Sequence, residues 1–266
     1  MELPLVLPRA RAFVNPAALA LLALAGCRVS MSPVQNRLAP GQEPFAVFVA
    51  TGEAGVGDLF AVRADGGTTF PITYTRVREM APALSPLGTD VAFIREGVRD
   101  DPSSRRVVVM NLLNGGERIV PALGTPPDAV AWSDDASTLF IRAGDTTLAA
   151  AAPPAEPGTR TLDPAEAGRA DSAFAVFVGT PAFARVIDCP EGGVCVEQPD
   201  GARNLFSADG RGPARWGSDS VGYFVGAAFF VRPLGPGRMR ELRLTPPRLD
   251  PREMTFFPGP AAPGPQ

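Results

Sequence analysis

Histidine is absent from the 266 residues, and every basic residue is arginine because lysine is absent too. Without imidazole there is no Ser-His-Asp or Cys-His nucleophile and no histidine-based zinc, copper or haem site. Without lysine there is no Schiff-base or Ser-Lys chemistry. No Gly-x-Ser-x-Gly elbow occurs, which removes an α/β-hydrolase. Tryptophan and tyrosine number two each, few for a surface that stacks on sugar rings. The arginines alternate with acidic residues and form no basic run, and the net charge is −3. The electrostatic footprint of a nucleic-acid binder is therefore missing. Any catalysis would have to run on Asp, Glu, Tyr, Arg or backbone groups.

Punctuation is what the chain has in quantity. Thirty prolines and 28 glycines suit many tight turns between short strands. Beyond the first 27 residues no segment sustains an apolar stripe of helical period. An all-β domain is expected.

The N-terminus reads as an export leader. Arg9 and Arg11 precede an apolar run from Ala17 to Ala25. That run is far short of the roughly 20 residues a membrane span needs, and suits a signal-peptide core. It ends in Leu24-Ala25-Gly26-Cys27, which resembles the bacterial lipobox. The resemblance implies cleavage after residue 26, diacylglycerol on the Cys27 thiol and an acylated new amine. Two or more chains give stable membrane anchoring. Arg28 in place of Asp resembles the default for the outer membrane, on its periplasmic side. An ordinary signal peptide cut nearby is the plainer alternative. Residues 27–44 read as a flexible tether, 45–257 as the folded domain, and the Pro/Gly-rich 258–266 as a disordered tail.

Within 45–257 one pattern recurs. It runs Leu84-Ser85-Pro86-Leu87-Gly88-Thr89-Asp90-Val91-Ala92-Phe93, again from Trp132 to Phe140, again from Trp216 to Phe224, and faintly from Asp171 to Phe177. Each is an apolar strand, a Ser/Asp/Gly turn and a second strand ending in an aromatic. The leading Trp132 and Trp216 should pack between sheets. A hairpin follows each copy, with turns such as Asp65-Gly66, Asn114-Gly115 and Asp200-Gly201. Four strands per unit and inner strands starting near Pro82, Asp128, Ser172, Pro213 and Glu253 give a period of about 40–45, the signature of a β-propeller. The lone last strand, Glu253 to Phe257, lacks three partners, and Phe45 to Thr73 supplies three strands lacking an inner one. Pairing them closes a ring of five blades and leaves only short outer edges unprotected. A β-sandwich with coincidental turns is the alternative.

The Ser-Pro-x-Gly-x-x-Val-Ala-Phe stretch at 85–93 resembles the TolB-type family of propeller repeats, relatives of the WD-repeat propellers. Such propellers usually have six blades. The resemblance implies an envelope role through protein or peptide contacts, without a cofactor.

Of the three cysteines, Cys189 and Cys195 flank a Gly-rich turn between two expected strands. In an exported protein a disulfide across that hairpin is the natural reading, adding about 2 kcal/mol by loop closure. Propellers bind ligands where the loops leading into the inner strands converge. Those loops carry Arg78, Glu79, Asp128, Arg169, Asp171, Arg211, Arg252 and Glu253. As a group they are the expected contact surface; singly, each is equally readable as a solvated loop residue. The expected function is that of a membrane-tethered, non-enzymatic interaction platform, without metal or cofactor. The rival is a carbohydrate-binding or glycoside-hydrolysing propeller drawing two carboxylates from Glu79, Asp128, Asp171 and Glu253, which it would need about 5–9.5 Å apart.

Overall fold

The computed structural model describes residues 33, 34, 37–51, 56–121, 123–155, 158–178, 184–245 and 250–260. Cys27 with its leader and residues 261–266 lie outside them. Five four-stranded antiparallel sheets are arranged as a propeller. Blade 1 is assembled from both ends of the chain, in the order Asp250–Phe257, Phe45–Thr51, Gly57–Arg63 and Phe70–Pro71. Blade 2 runs Arg78–Leu84, Asp90–Glu96, Arg105–Asn111 and Glu117–Ile119; blade 3 runs Ala129–Trp132, Thr138–Ala143, Thr146–Ala151 and Thr159–Thr161. Blade 4 comprises Val176–Val178, Ala184–Asp188, Val194–Glu197 and Arg203–Ser207, and blade 5 Arg211–Trp216, Ser220–Val225, Ala228–Pro233 and Arg240–Leu242.

The closure expected from the unpaired terminal strands is present. Phe45 pairs with Phe257 and Phe48 with Met254, and the Phe45 and Phe257 rings lie 5.7 Å apart. Phe257 also explains a glycine. Gly88, in the Ser-Pro-x-Gly turn of blade 2, has φ +67°, and a Cβ there would sit 2.6 Å from the Phe257 ring. The backbone is left-handed and the space is taken, so only glycine fits.

Blades bury both faces, so their central strands read as unbroken apolar runs. Alternate residues of Phe45–Ala50 serve opposite neighbours. Phe45, Val47 and Val49 pack with Val91, Phe93 and Val108 of blade 2, whereas Ala46, Phe48 and Ala50 pack with Trp216, Phe224 and Phe229 of blade 5. In blade 2, Ala92 and Ile94 face Trp132, Leu139 and Ile141 of blade 3. Blades 4 and 5 meet through Val186, Val196, Val221 and Tyr223. The two tryptophans sit between sheets as their repeats require: Trp132 donates to the Ala83 carbonyl at 2.9 Å, and Trp216 stacks on Phe256 at 4.3 Å.

The junction of blades 3 and 4 departs from this scheme and corrects the expected inner strand at Ser172. An α-helix, α1 (Pro164–Phe174), occupies residues 171–174, and the inner strand begins at Val176. Its start is written in Asp163-Pro164-Ala165-Glu166. The Asp163 carboxylate accepts the Glu166 N–H, Glu166 reaches back to the Asp163 N–H, and proline fills the first turn, a complete capping box. Helical period alone misses it because its only fully buried residue is Ala170. That alanine covers Phe140 and Ala149 of blade 3. Arg142 lies over the Phe174 ring, 4.2 Å from its centre.

The tether also needs correcting where it is described. Val34 and Leu38 are buried in the cluster between blades 1 and 2, and Glu43 pairs with Arg63 at 3.0 Å. Packing therefore begins before the first strand. Cys189 and Cys195 form the expected disulfide, with Cα atoms 5.2 Å apart.

Candidate functional site

In each antiparallel blade the loop leading into the inner strand and the hairpin between the second and third strands lie at the same end of the ring. Three cavities among the described residues bear on these loops. One of about 370 Å³ opens at this end between blades 1 and 2, lined by Thr51, Arg76, Arg78, Glu79, Arg99 and Glu253 among others. The second, about 470 Å³, is walled by the inner strands of blades 3, 4, 5 and 1, including Trp132, Val176, Arg215 and Phe256. The third, about 320 Å³, includes Arg185, Asp188, Gly212 and Glu253.

Three of the eight nominated residues, Arg78, Glu79 and Glu253, come together at the first cavity, and they differ in state. Glu79 is fully buried. It accepts a bond from the Thr73 hydroxyl and pairs with Arg95 at 2.8 Å; Arg95 in turn grips both Glu117 oxygens at 2.7 and 2.8 Å. Burial pushes the Glu79 carboxyl above its ordinary value, opposed by Thr73 and Arg95. Glu253 accepts the N–H of Ala81, a residue held at φ +50° in the bulge where the register of blade 2's inner strand shifts. A non-glycine residue there is strained, and the carboxylate satisfies the amide that the bulge releases. Glu79 is thus a structural tie, whereas Glu253, though bonded to the Ala81 N–H, is an exposed carboxylate. Arg78 is exposed and has no bonded partner among the described residues.

The other nominees are dispersed. Asp128 accepts the Gly144 N–H at 3.2 Å in a local turn, and Arg211 donates to the Gly226 carbonyl at 2.9 Å. Arg169 and Asp171 stand on α1 rather than on a loop at the mouth. Arg169 reaches Asp135 at 3.5 Å, in the turn at the opposite end of blade 3. The helix capping that was missed in the sequence is what removes these two from the rim. The side chain of Arg252 lies outside the described residues.

Sequence reasoning also missed what fixes the site. Asp58, buried, accepts bonds from the Thr75 N–H at 3.0 Å and the Thr75 hydroxyl at 3.3 Å, and the Thr73 hydroxyl accepts the Leu59 N–H at 2.9 Å. Loop 73–77 is thereby nailed to blade 1. On the facing side, buried Glu96 accepts the Asp100 N–H at 3.0 Å and pairs with Arg105 at 2.9 Å, fixing loop 97–104. A carboxylate within a strand reads alike in sequence whether buried or solvated, so neither anchor was visible there. Among the described residues no group of three potential ligands could hold a metal, and no helix is long and apolar enough to cross a membrane.

No protein-family model matches the chain, and no curated protein matches it. Solved structures do. TolB from Acinetobacter baumannii superposes with a TM-score of 0.52 at 12% identity, over 80% of this chain and 66% of that one. A chain in a nidogen/laminin complex gives 0.47 at 9% identity, over 81% of this chain and 99% of that one. At such identities the likeness is one of fold.

Proposed function

We propose that this five-bladed, TolB-type propeller is a membrane-anchored, non-enzymatic platform for protein or peptide contacts in the bacterial envelope. One observation carries the platform: the open end of the ring displays arginine-bearing loops, held rigid from beneath, around a cavity between two blades. Rigidly displayed side chains lose less entropy on binding. The likeness to TolB supports the same reading at the level of fold. The anchor rests on Leu24-Ala25-Gly26-Cys27, and the outer membrane, on its periplasmic side, on Arg28 in place of Asp after the cysteine.

The test is affinity capture from detergent-solubilised membranes, using the full chain and its Cys27→Ser variant. Wild type should fractionate with membranes, take up a labelled fatty acid and retain specific envelope proteins. A Cys27→Ser chain that is processed and fractionated unchanged would remove the anchor, and a wild-type chain retaining nothing specific would remove the platform.

Glycoside hydrolysis is the second reading, on changed residues. Glu79 is held by Arg95, and neither Asp128 nor Asp171 lines any of the three cavities. Asp188 and Glu253 do share one, and desolvation raises the Asp188 carboxyl against a hydrogen bond from the Gly212 N–H. Release of nitrophenol from nitrophenyl glycosides, abolished by Asp188→Asn, would favour the enzyme.

A further inference from the structure

We infer that the end of blades 1 and 2 opposite the mouth rests on the lipid bilayer, with Leu87 and Leu113 at the interface, so that the mouth faces away from the membrane. The inference rests on the anchor reading, in which Cys27 carries the lipid, and adds to it a contact surface and an orientation.

Reach is the first ground. Val34 is fully buried in the cluster between blades 1 and 2, so residues 28–33 alone separate it from Cys27. Even fully extended, that stretch spans only about 25 Å, at about 3.5 Å per residue. The end of the ring into which Val34 packs is thereby kept close to the lipid headgroups, whereas the far end is not. Which end this is follows from the contacts. Val34 and Leu38 share their cluster with Leu84 and Leu112, and a Cβ on Gly41 would lie 3.0 Å from the Leu87 carbonyl oxygen. Leu84 leads into turn 85–89 and Leu112 opens turn 112–116. The Leu112 N–H donates to the Thr89 carbonyl at 2.8 Å, so the two turns are neighbours at one end of blade 2. Glu96 pairs with Arg105 at the other end, beside the mouth loops.

The tips of those turns are the second ground. Leu87 is 62% exposed and Leu113 54%, while Leu84 and Leu112 beside them are buried. A single exposed leucine is ordinary. Two on neighbouring tips, at the end a short tether holds to the membrane, trade water for hydrocarbon when that end settles on the bilayer. The tether also makes the encounter intramolecular, so a weak contact suffices. Both signs of charge stand at this end, Arg37 and Arg63 with Glu43, Asp65 and Asp90, so the surface is assigned by reach and exposed apolar area. In this orientation the mouth and its loops are presented to partners away from the membrane.

The test reconstitutes the lipidated full chain in vesicles of phosphatidylethanolamine and phosphatidylglycerol that also carry a spin-labelled lipid as quencher. Three single variants, Leu87→Cys, Leu113→Cys and Val98→Cys, are labelled with nitrobenzoxadiazole while the disulfide stays oxidised. All three side chains are exposed, so the fold should accept the dye. Val98 lies at the mouth, beyond strand Asp90–Glu96, whose 7 residues rise about 23 Å. The lipid should quench the dye at Leu87 and at Leu113 about threefold or more strongly than at Val98. Equal quenching at the three positions, or stronger quenching at Val98, would overturn the inference. So would a dye at Leu87 that becomes shielded without vesicles as protein concentration rises, which would assign the leucines to contact between copies of the chain. A chain that stays with the vesicles through an alkaline wash while neither leucine position is quenched would overturn the orientation and leave the anchor standing. A chain that takes up no labelled fatty acid and washes off would remove the anchor, and the orientation with it.

Discussion

Two junctions in the ring solve the same problem differently. Between blades 1 and 2, sheet meets sheet through Phe45, Val47, Phe93 and Val108, all essentially inaccessible. Between blades 3 and 4 a short helix intervenes. Among the described residues, no hydrophobic cluster joins strands of these two blades directly. Blade 4 shows why. The sides of its strands turned from blade 5 mix charge with apolar residues: Arg185, Glu197 and Arg203 stand beside Phe177, Ile187, Cys195 and Leu205, with Glu197 meeting Arg203 at 2.9 Å and Arg185 at 3.8 Å, and Phe177 and Leu205 left exposed. A blade whose second face carries a charged cluster is not clamped from both sides, so α1 covers blade 3, and the disulfide staples blade 4's hairpin. Closed rings thus tolerate one imperfect seam when the rest are continuous.

The most severe way to break the comparison is to empty the good seam. Phe93→Ala removes a fully buried ring from a junction whose two sheets cannot collapse into the void, and should cost about 3–5 kcal/mol in denaturant midpoint. A cost near that of an exposed substitution would mean the 1–2 seam is not the continuous one.

The next test probes the polar anchor under the same seam. Arg95→Ala leaves Glu79 buried without its cation, and should cost about 3 kcal/mol at neutral pH. The sign of its pH dependence follows from Glu79. Its folded carboxyl already titrates above 4.5, so the folded state takes up a proton that the unfolded chain releases. The stability this contributes is complete below about 4.5 and fades as pH rises through the folded value. Removing Arg95 raises that value further. The variant should therefore approach wild-type stability in acid and fall away from it toward neutrality, as followed by thermal melts across pH. A penalty independent of pH would assign the loss to Arg95's packing on the Phe93 ring, 5.1 Å away, rather than to the buried charge.

The contrast between the seams was partly legible in the chain. Val91-Ala92-Phe93-Ile94 is continuous because both faces are covered, whereas Ala184-Arg185-Val186-Ile187-Asp188 interrupts its apolar residues with charge because one face is not. The ring closure and the sheet-packing tryptophans follow from the same local patterns. What escaped were long-range facts. The Glu79–Arg95–Glu117 relay depends on strand register, and a uniform blade period puts Arg169 and Asp171 at the mouth although their segment is helical. The site suffered more than the fold for that reason: a blade is a local repeat, whereas a rim is assembled from several blades at once.

The mildest test asks whether the helix is a true part of the ring. Asp163→Ala deletes the side-chain acceptor for the Glu166 N–H at 2.9 Å, and should cost about 1 kcal/mol. Hydrogen exchange should quicken across 164–174 while blades 1 and 2 stay protected. Acid gives a second handle on the same cap. The Arg160 guanidinium, hydrogen-bonded to Glu166, and the Asp163 N–H hold the Glu166 carboxyl down to about 2. A depressed carboxyl contributes stability that is complete above its ordinary value and lost as pH falls through the folded one, so the Glu166 contribution to the cap should hold until about pH 2. Arg160→Ala should move that loss upward toward the ordinary carboxylate range, read as the pH midpoint of exchange at Ala170. If Asp163→Ala instead loosened all five blades together, α1 would be as integral as a sheet, and the two seams would differ in appearance rather than in cooperativity.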